Sequence, residues 1–134
     1  MRVRLLTPGT RACLAPDGTA SVEGIIDFLW AETFPFTFAL DILVAFEIDA
    51  GESGDSWEPT IEVIDADGVL RWRARLLVIG GSTGADGARW VRYVALPVVF
   101  TADGPGEHEI RVVLAGEQIA ALSLSVVRRV AAVT

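Results

Sequence analysis

Large apolar residues alternate with other residues along much of the chain. The clearest alternating segment spans residues 38–48 and has these apolar members: Phe38, Leu40, Ile42, Val44, Phe46 and Ile48. Because successive side chains of a strand point to opposite faces, a period of two predicts a β-strand with one buried face. The other face, which carries Asp41 and Glu47, is expected to be mostly exposed to water.

The segment before it has the same period. Val22, Ile26, Phe28 and Trp30 share one parity, and Phe34-Pro35 ends the pattern because proline cannot donate to a sheet ladder. This pattern predicts one strand over residues 22–30, paired antiparallel with residues 38–48. Trp30 is then expected to pack in the core.

Turn signals separate the later alternating segments. Asp65-Ala66-Asp67-Gly68 predicts a hairpin, since Asp-Gly favours tight turns between strands. Further alternating segments occupy residues 90–100, 110–114 and 119–127. About eight short strands and no convincing helix favour an all-β fold over residues 1–134, in one domain built as a two-sheet antiparallel sandwich, with a barrel as the alternative.

Composition limits the cellular compartments and the classes of binding partner that we expect. Eighteen acidic and eleven basic residues give a net charge of −7, which disfavours nucleic acid or an anionic membrane as partner. No apolar run approaches the length of a membrane span. Cys13 is the single cysteine, so no intramolecular disulfide can form and a cytoplasmic location is expected. Every basic residue is arginine, which is typical of a GC-rich bacterial genome.

No residue pattern predicts catalysis. His108 is the only histidine, and it is expected to be exposed at the start of a strand. Asp65 and Asp67 resemble part of a calcium loop, but the other acidic ligands are missing and a hairpin turn explains both residues. We therefore predict a protein that is not an enzyme, with no catalytic residues, no cofactor and no metal.

Two groups of residues are candidates for ligand binding. Arg71, Arg73 and Arg75 lie on one strand face, where guanidinium groups could bind a carboxylate or phosphate. The alternative is that glutamates of the facing strand pair with these arginines. Trp57 and Trp90 each follow a polar loop and could form an aromatic rim at one end of the fold.

The last strand suggests how the protein finds a partner. Residues 119–127 carry no charge and no proline, and residues of this kind leave a sheet edge open to pairing. One face of that strand carries only small side chains: Ala121, Ser123 and Ser125. We predict a homo-oligomer, or a complex with another protein, formed through an edge strand or this small-residue face.

Several short motifs resemble those of a known family. They read ACLAPDG at residues 12–18, GIIDFLW at 24–30, FP at 34–35, IDADG at 64–68, GEHEI at 106–110 and LSLSV at 122–126. Together they are similar to an uncharacterised group of small bacterial all-β proteins, catalogued as a domain of unknown function. The resemblance implies an immunoglobulin-like sandwich and no assigned activity. Many members carry a tyrosine where this chain has His108.

Overall fold

The computed structural model describes residues 1–52, 54–80 and 90–130, which form eleven strands and one short 3-10 helix, Ala50–Glu52, with no α-helix in these ranges. Two of the strands have only two residues, so the sequence pattern did not reveal them. The strands are β1 Arg2–Leu14, β2 Ala20–Ile25, β3 Phe28–Ala31, β4 Phe36–Ile48, β5 Ser56–Trp57, β6 Thr60–Ile64, β7 Leu70–Arg75, β8 Val78–Ile79, β9 Trp90–Ala102, β10 Gly106–Leu114 and β11 Glu117–Arg128.

These strands form three sheets. The first sheet has the order β2-β1-β4-β9, the second has the order β3-β11-β10-β6-β7, and β5 and β8 form a separate pair. Every pairing is antiparallel except that of β3 with β11, which is parallel. The prediction of an all-β fold with antiparallel sheets is confirmed. No helix in the described ranges has the length and apolar character needed to cross a bilayer.

One hydrophobic core draws on both large sheets. The alternating residues of β4 are buried as predicted, from Phe38 at 6% exposure to Phe46 and Ile48 at 0%. They share a cluster with residues of the second sheet: Ile61, Val63, Ile110, Val112, Leu124 and Val126. The period of two in the sequence therefore marks the inner faces of both sheets.

The outer face of β4 differs from the prediction. Leu43 and Ala45 are buried there, at 3% and 1% exposure, although Asp41 and Glu47 stay partly exposed. The reason is the β1–β2 hairpin, which lies over this face after β1 passes Gly9. The backbone N–H of Ala12 in the hairpin donates to the Asp41 carboxylate, with 2.8 Å between nitrogen and Oδ2.

The turn of the same hairpin reaches β9. Leu14 and Gly18 line one small cavity together with Val91 and Tyr93 of β9. Gly9 permits this arrangement, because a Cβ there would lie 2.4 Å from Val22 Cγ1 and 2.9 Å from the Glu23 carbonyl oxygen. The first sheet thus covers part of its own outer face.

The prediction of one strand over residues 22–30 is wrong. Gly24 has a φ of +60° beside Thr10, a conformation that favours glycine, and the chain leaves the first sheet after Ile25. It then enters the second sheet as β3. Neither β2 nor β3 pairs with β4, because β2 pairs with β1 and β3 pairs with β11.

Candidate functional site

Among residues 1–52, 54–80 and 90–130, β3 forms one edge of the second sheet, and no strand pairs with its outer side. Backbone groups of successive residues in a strand point to opposite sides. The Ala31 carbonyl accepts a hydrogen bond from the N–H of Arg129, at 3.1 Å, so Leu29 and Ala31 direct their backbone groups toward β11 and its extension. The N–H and C=O groups of Phe28 and Trp30 consequently point away from the sheet, where another strand could bind them.

Apolar side chains accompany this free edge. Phe28 and Trp30 are each 48% exposed and lie on the outer face of the sheet, and Val127 lies beside Trp30 at 37% exposure. We call these three residues the β3 patch. The Arg129 guanidinium lies 5.7 Å from the Trp30 ring centroid. The expectation that Trp30 packs in the core is therefore wrong, because β3 turns this residue outward.

The expected free edge of the last strand is covered only at its C-terminal end. β10 pairs along one side of β11, but β3 pairs on the other side only with Ser125 to Arg128. On that side, no strand of the described ranges pairs with β11 before Ser125. Its small-residue face remains open, since Ala121 and Ser123 are exposed. Ser125 lies opposite Phe28, and its hydroxyl donates to the Glu107 carboxylate. β11 thus keeps an open edge before Ser125, and β3 adds a second open edge beyond it.

The opposite edge of the second sheet is β7, which carries the predicted arginines. Arg73 lies opposite Glu62 and donates to it through Nε at 3.0 Å and through a terminal nitrogen at 2.7 Å. The expected cross-strand Glu–Arg pairing is confirmed here. Arg71 instead donates to Asp65 and Asp103, at 2.8 and 2.5 Å.

Arg75 differs from the other two arginines. It lies opposite Thr60, is exposed, and has no ion pair within residues 1–52, 54–80 and 90–130. A shallow cavity of about 220 Å³ adjoins it, lined by Thr60, Glu62, Arg73, Arg75 and Val113. The cavity therefore combines one unpaired guanidinium with the Glu62 carboxylate.

The two candidate tryptophans lie on strands of different sheets. Trp57 lies opposite Val78 in the β5–β8 pair, and Trp90 lies opposite Ile48 at the start of β9. Both side chains are half-buried and pack against the core cluster. Only part of each ring is therefore available to a ligand.

His108 is buried, and the prediction of an exposed histidine is wrong. It is 3% exposed, its Nδ1 lies 3.2 Å from the Gly106 carbonyl oxygen, and its ring centroid lies 5.7 Å from that of Phe100. The period of two explains this position, because His108 shares the parity of Ile110 and Val112. The alternation of β10 could have revealed it.

The predicted hairpin turn between β6 and β7 is confirmed. Asp65 Oδ1 accepts the N–H groups of Asp67 and Val69, each at 2.9 Å, and Oδ2 accepts Arg71. The bond from Val69, followed by those from Arg71 and Asp67, lowers the pKa of Asp65 below its ordinary value. Both oxygens of Asp65 thus hold the turn together.

Comparison with known proteins does not assign the chain to a family. The chain matches no protein-family model, and no curated protein is significantly similar to it.

Proposed function

We propose that this chain is a non-enzymatic protein-interaction module of a bacterial cytoplasm, whose contact element is the free edge of β3. The scaffold in this proposal is an immunoglobulin-like sandwich made by the two large sheets. One observation carries the proposal: the outward N–H and C=O groups of Phe28 and Trp30 coincide with two half-exposed aromatic side chains. Aromatic residues are enriched in the centres of protein interfaces, where a polar rim surrounds them.

A second copy of the chain fits this edge. If two β3 strands pair antiparallel with Phe28 opposite Trp30 of the other copy, all four outward residues pair in two hydrogen-bonded pairs. The same register places each Phe28 ring beside a Trp30 ring on one face, which is a favourable cross-strand pair. The interface is self-complementary, as a two-fold dimer requires.

The flanking charges are compatible with this register. Asp27 would lie opposite Ala31 of the other copy, and Glu32 opposite Ile26, so no like charges face each other directly. Two molecules that each carry a net charge of −7 still repel at long range. We therefore expect a weak dimer that salt strengthens, with a Kd of roughly 10 µM to 1 mM.

Sedimentation velocity over this concentration range tests the proposal. We expect the wild type to shift from monomer to dimer, and Trp30→Glu to remain monomeric because it removes the aromatic pair and places a charge in the interface. Leu70→Glu is the matched control, since Leu70 is an exposed apolar residue of β7, at the other edge of the same sheet. A wild type that stays monomeric would exclude self-pairing and leave a strand from another protein as the partner.

A second candidate function is small-ligand or anion binding. The observation that favours it is the exposed Arg75, which has no ion pair in the described part of the chain and lies beside Arg73 in one cavity. Calorimetric titration with inorganic phosphate tests it, with Arg75→Gln expected to abolish any binding. Because Glu62 lines the same cavity and holds Arg73, we expect weaker anion binding than at a site of free arginines. In this alternative, Trp57 and Trp90 are further candidate ligand contacts, outside the Arg75 cavity.

A further inference from the structure

A small cavity lies between two turns, one within the second sheet and one that connects the two large sheets. It lies between the β6–β7 turn and the β9–β10 turn, and these residues line it: Asp65, Ala66, Asp67, Asp103, Gly104, Pro105 and His108. In the sequence, the Asp65–Asp67 turn and His108 are separate features, about forty residues apart. The fold brings them together around one cavity.

The imidazole of His108 leaves one nitrogen unpartnered there. A carbonyl oxygen can only accept, so in the bond to Gly106 it is Nδ1 that donates, and a neutral ring then carries its one proton there. Nε2 is then an acceptor with a free lone pair. It is buried and has no hydrogen-bond partner, the single buried side-chain nitrogen or oxygen in the described ranges for which this is true. A buried acceptor of this kind costs free energy until a donor reaches it.

The other polar side chains that line the cavity are also acceptors. Asp65 is saturated by its turn and by Arg71, but Asp103 uses one oxygen for Arg71 and keeps the other free. The Asp67 side chain is exposed at the turn. Three carboxylates against the one guanidinium of Arg71 give the cavity an excess of negative charge.

We propose that this cavity binds a primary ammonium group, which donates to His108 Nε2 and to the carboxylates of Asp67 and Asp103. A metal ion fits less well, since no three His, Cys, Asp or Glu side chains in the described part of the chain converge as metal ligands. An ammonium group tolerates acceptors that are farther apart, because it has three separate N–H donors. The chain contains no lysine, so the ammonium belongs to a small amine or to a lysine of another protein.

Nitrogen-15 NMR of the imidazole tests the proposal, since His108 is the only histidine and gives one pair of ring signals. In the free protein, we expect Nδ1 to be protonated and Nε2 to be unprotonated. Methylammonium should shift the Nε2 signal in a saturable manner. Tetramethylammonium, which has the same charge but no N–H donor, should leave that signal unchanged. A protonated Nε2 in the free protein would overturn the proposal.

Two variants locate the binding. Asp67→Asn should weaken methylammonium binding by about tenfold, because the amide oxygen can still accept a hydrogen bond but the negative charge that strengthens it is lost. Glu32→Gln, which removes one exposed charge outside the cavity, should have no such effect. Equal effects of the two variants would show that methylammonium responds only to the net charge.

Further arms of the titration separate the possible ligands. Stronger binding of a lysine-containing peptide than of methylammonium would identify the source as a protein side chain, and the reverse would identify a small amine. Saturable shifts with zinc or calcium but none with methylammonium would overturn the proposal in favour of a metal. No shift with any of these probes would overturn it in favour of water in the cavity.

Discussion

The outer faces of the two large sheets differ, although their inner faces share one core. The first sheet buries Leu43 and Ala45 on its outer side under the β1–β2 hairpin. The second sheet leaves Phe28 and Trp30 on its outer side about half exposed. The hairpin covers only part of the first sheet's outer face, because Leu5 and Val99 stay 41% and 56% exposed. On the second sheet, by contrast, the exposed aromatic pair coincides with the free backbone edge of β3, and this coincidence marks the side that we propose for a partner.

The second sheet shows a further difference within itself. At the β7 edge, arginines project from the strand and pair with acidic residues, and charged side chains at an edge discourage pairing with another chain. At the β3 edge, neither lysine nor proline protects the strand. The short length of β3 is its main protection, which is consistent with a weak interaction.

The largest expected effect concerns the covered face. Leu43→Ala should lower the free energy of unfolding by about 2–5 kcal/mol, because it leaves a cavity beneath the hairpin. Val127→Ala, on the uncovered face of the second sheet, should cost less than about 1 kcal/mol. Urea unfolding at low protein concentration measures both. Equal losses would mean that the two outer faces do not differ in the way described.

A smaller effect is expected where the hairpin bends. Gly9→Ala should destabilise the protein by about 1–3 kcal/mol, since the added Cβ meets Val22 and the Glu23 backbone. Gly51→Ala is the control, because no atom lies within 4 Å of a Cβ at that position. Hydrogen exchange should also accelerate at the Ala12 amide in the Gly9 variant. Unchanged exchange there would contradict the role given to Gly9.

The stability of the ionic β7 edge should depend on pH, because Asp65 in the turn before β7 accepts a hydrogen bond from Arg71. The pKa of Asp65 is lowered in the folded state, so its contribution to stability is present above the unfolded pKa of about 3.9 and is lost as the pH falls through the folded pKa. Asp65→Asn should therefore be less stable than the wild type at neutral pH, and the two should converge in acid. A difference that persists unchanged in acid would refute this assignment.

The smallest effect is expected for the exposed pair on the β6–β7 face. A double-mutant cycle of Glu62→Gln and Arg73→Gln should give a coupling energy of about 0–1 kcal/mol, since the Arg73 side chain is 58% exposed. Thermal unfolding of the four proteins measures it. A coupling of several kcal/mol would mean that this pair stabilises the fold as strongly as buried contacts do.

The sequence pattern predicts the inner faces well and the edges poorly. A period of two depends only on which side of a strand is buried, and residues 38–48 show it directly. The parallel pairing of β3 with β11 joins residues about one hundred positions apart, and no local pattern records it. The burial of Leu43 has the same cause, since it depends on where a distant hairpin lies. The edge that β3 adds beside β11 could therefore not be predicted from the sequence.

Hydrogen exchange of individual amides at increasing protein concentration tests the central claim most directly. Phe28 and Trp30 should exchange rapidly in dilute protein and become protected as the concentration rises, because their outward N–H groups pair with a second copy. Exchange in β7 should not change with concentration. Fast exchange of Phe28 and Trp30 at every concentration, or equal protection of both edges, would contradict the claim that the free edge of β3 is the contact element.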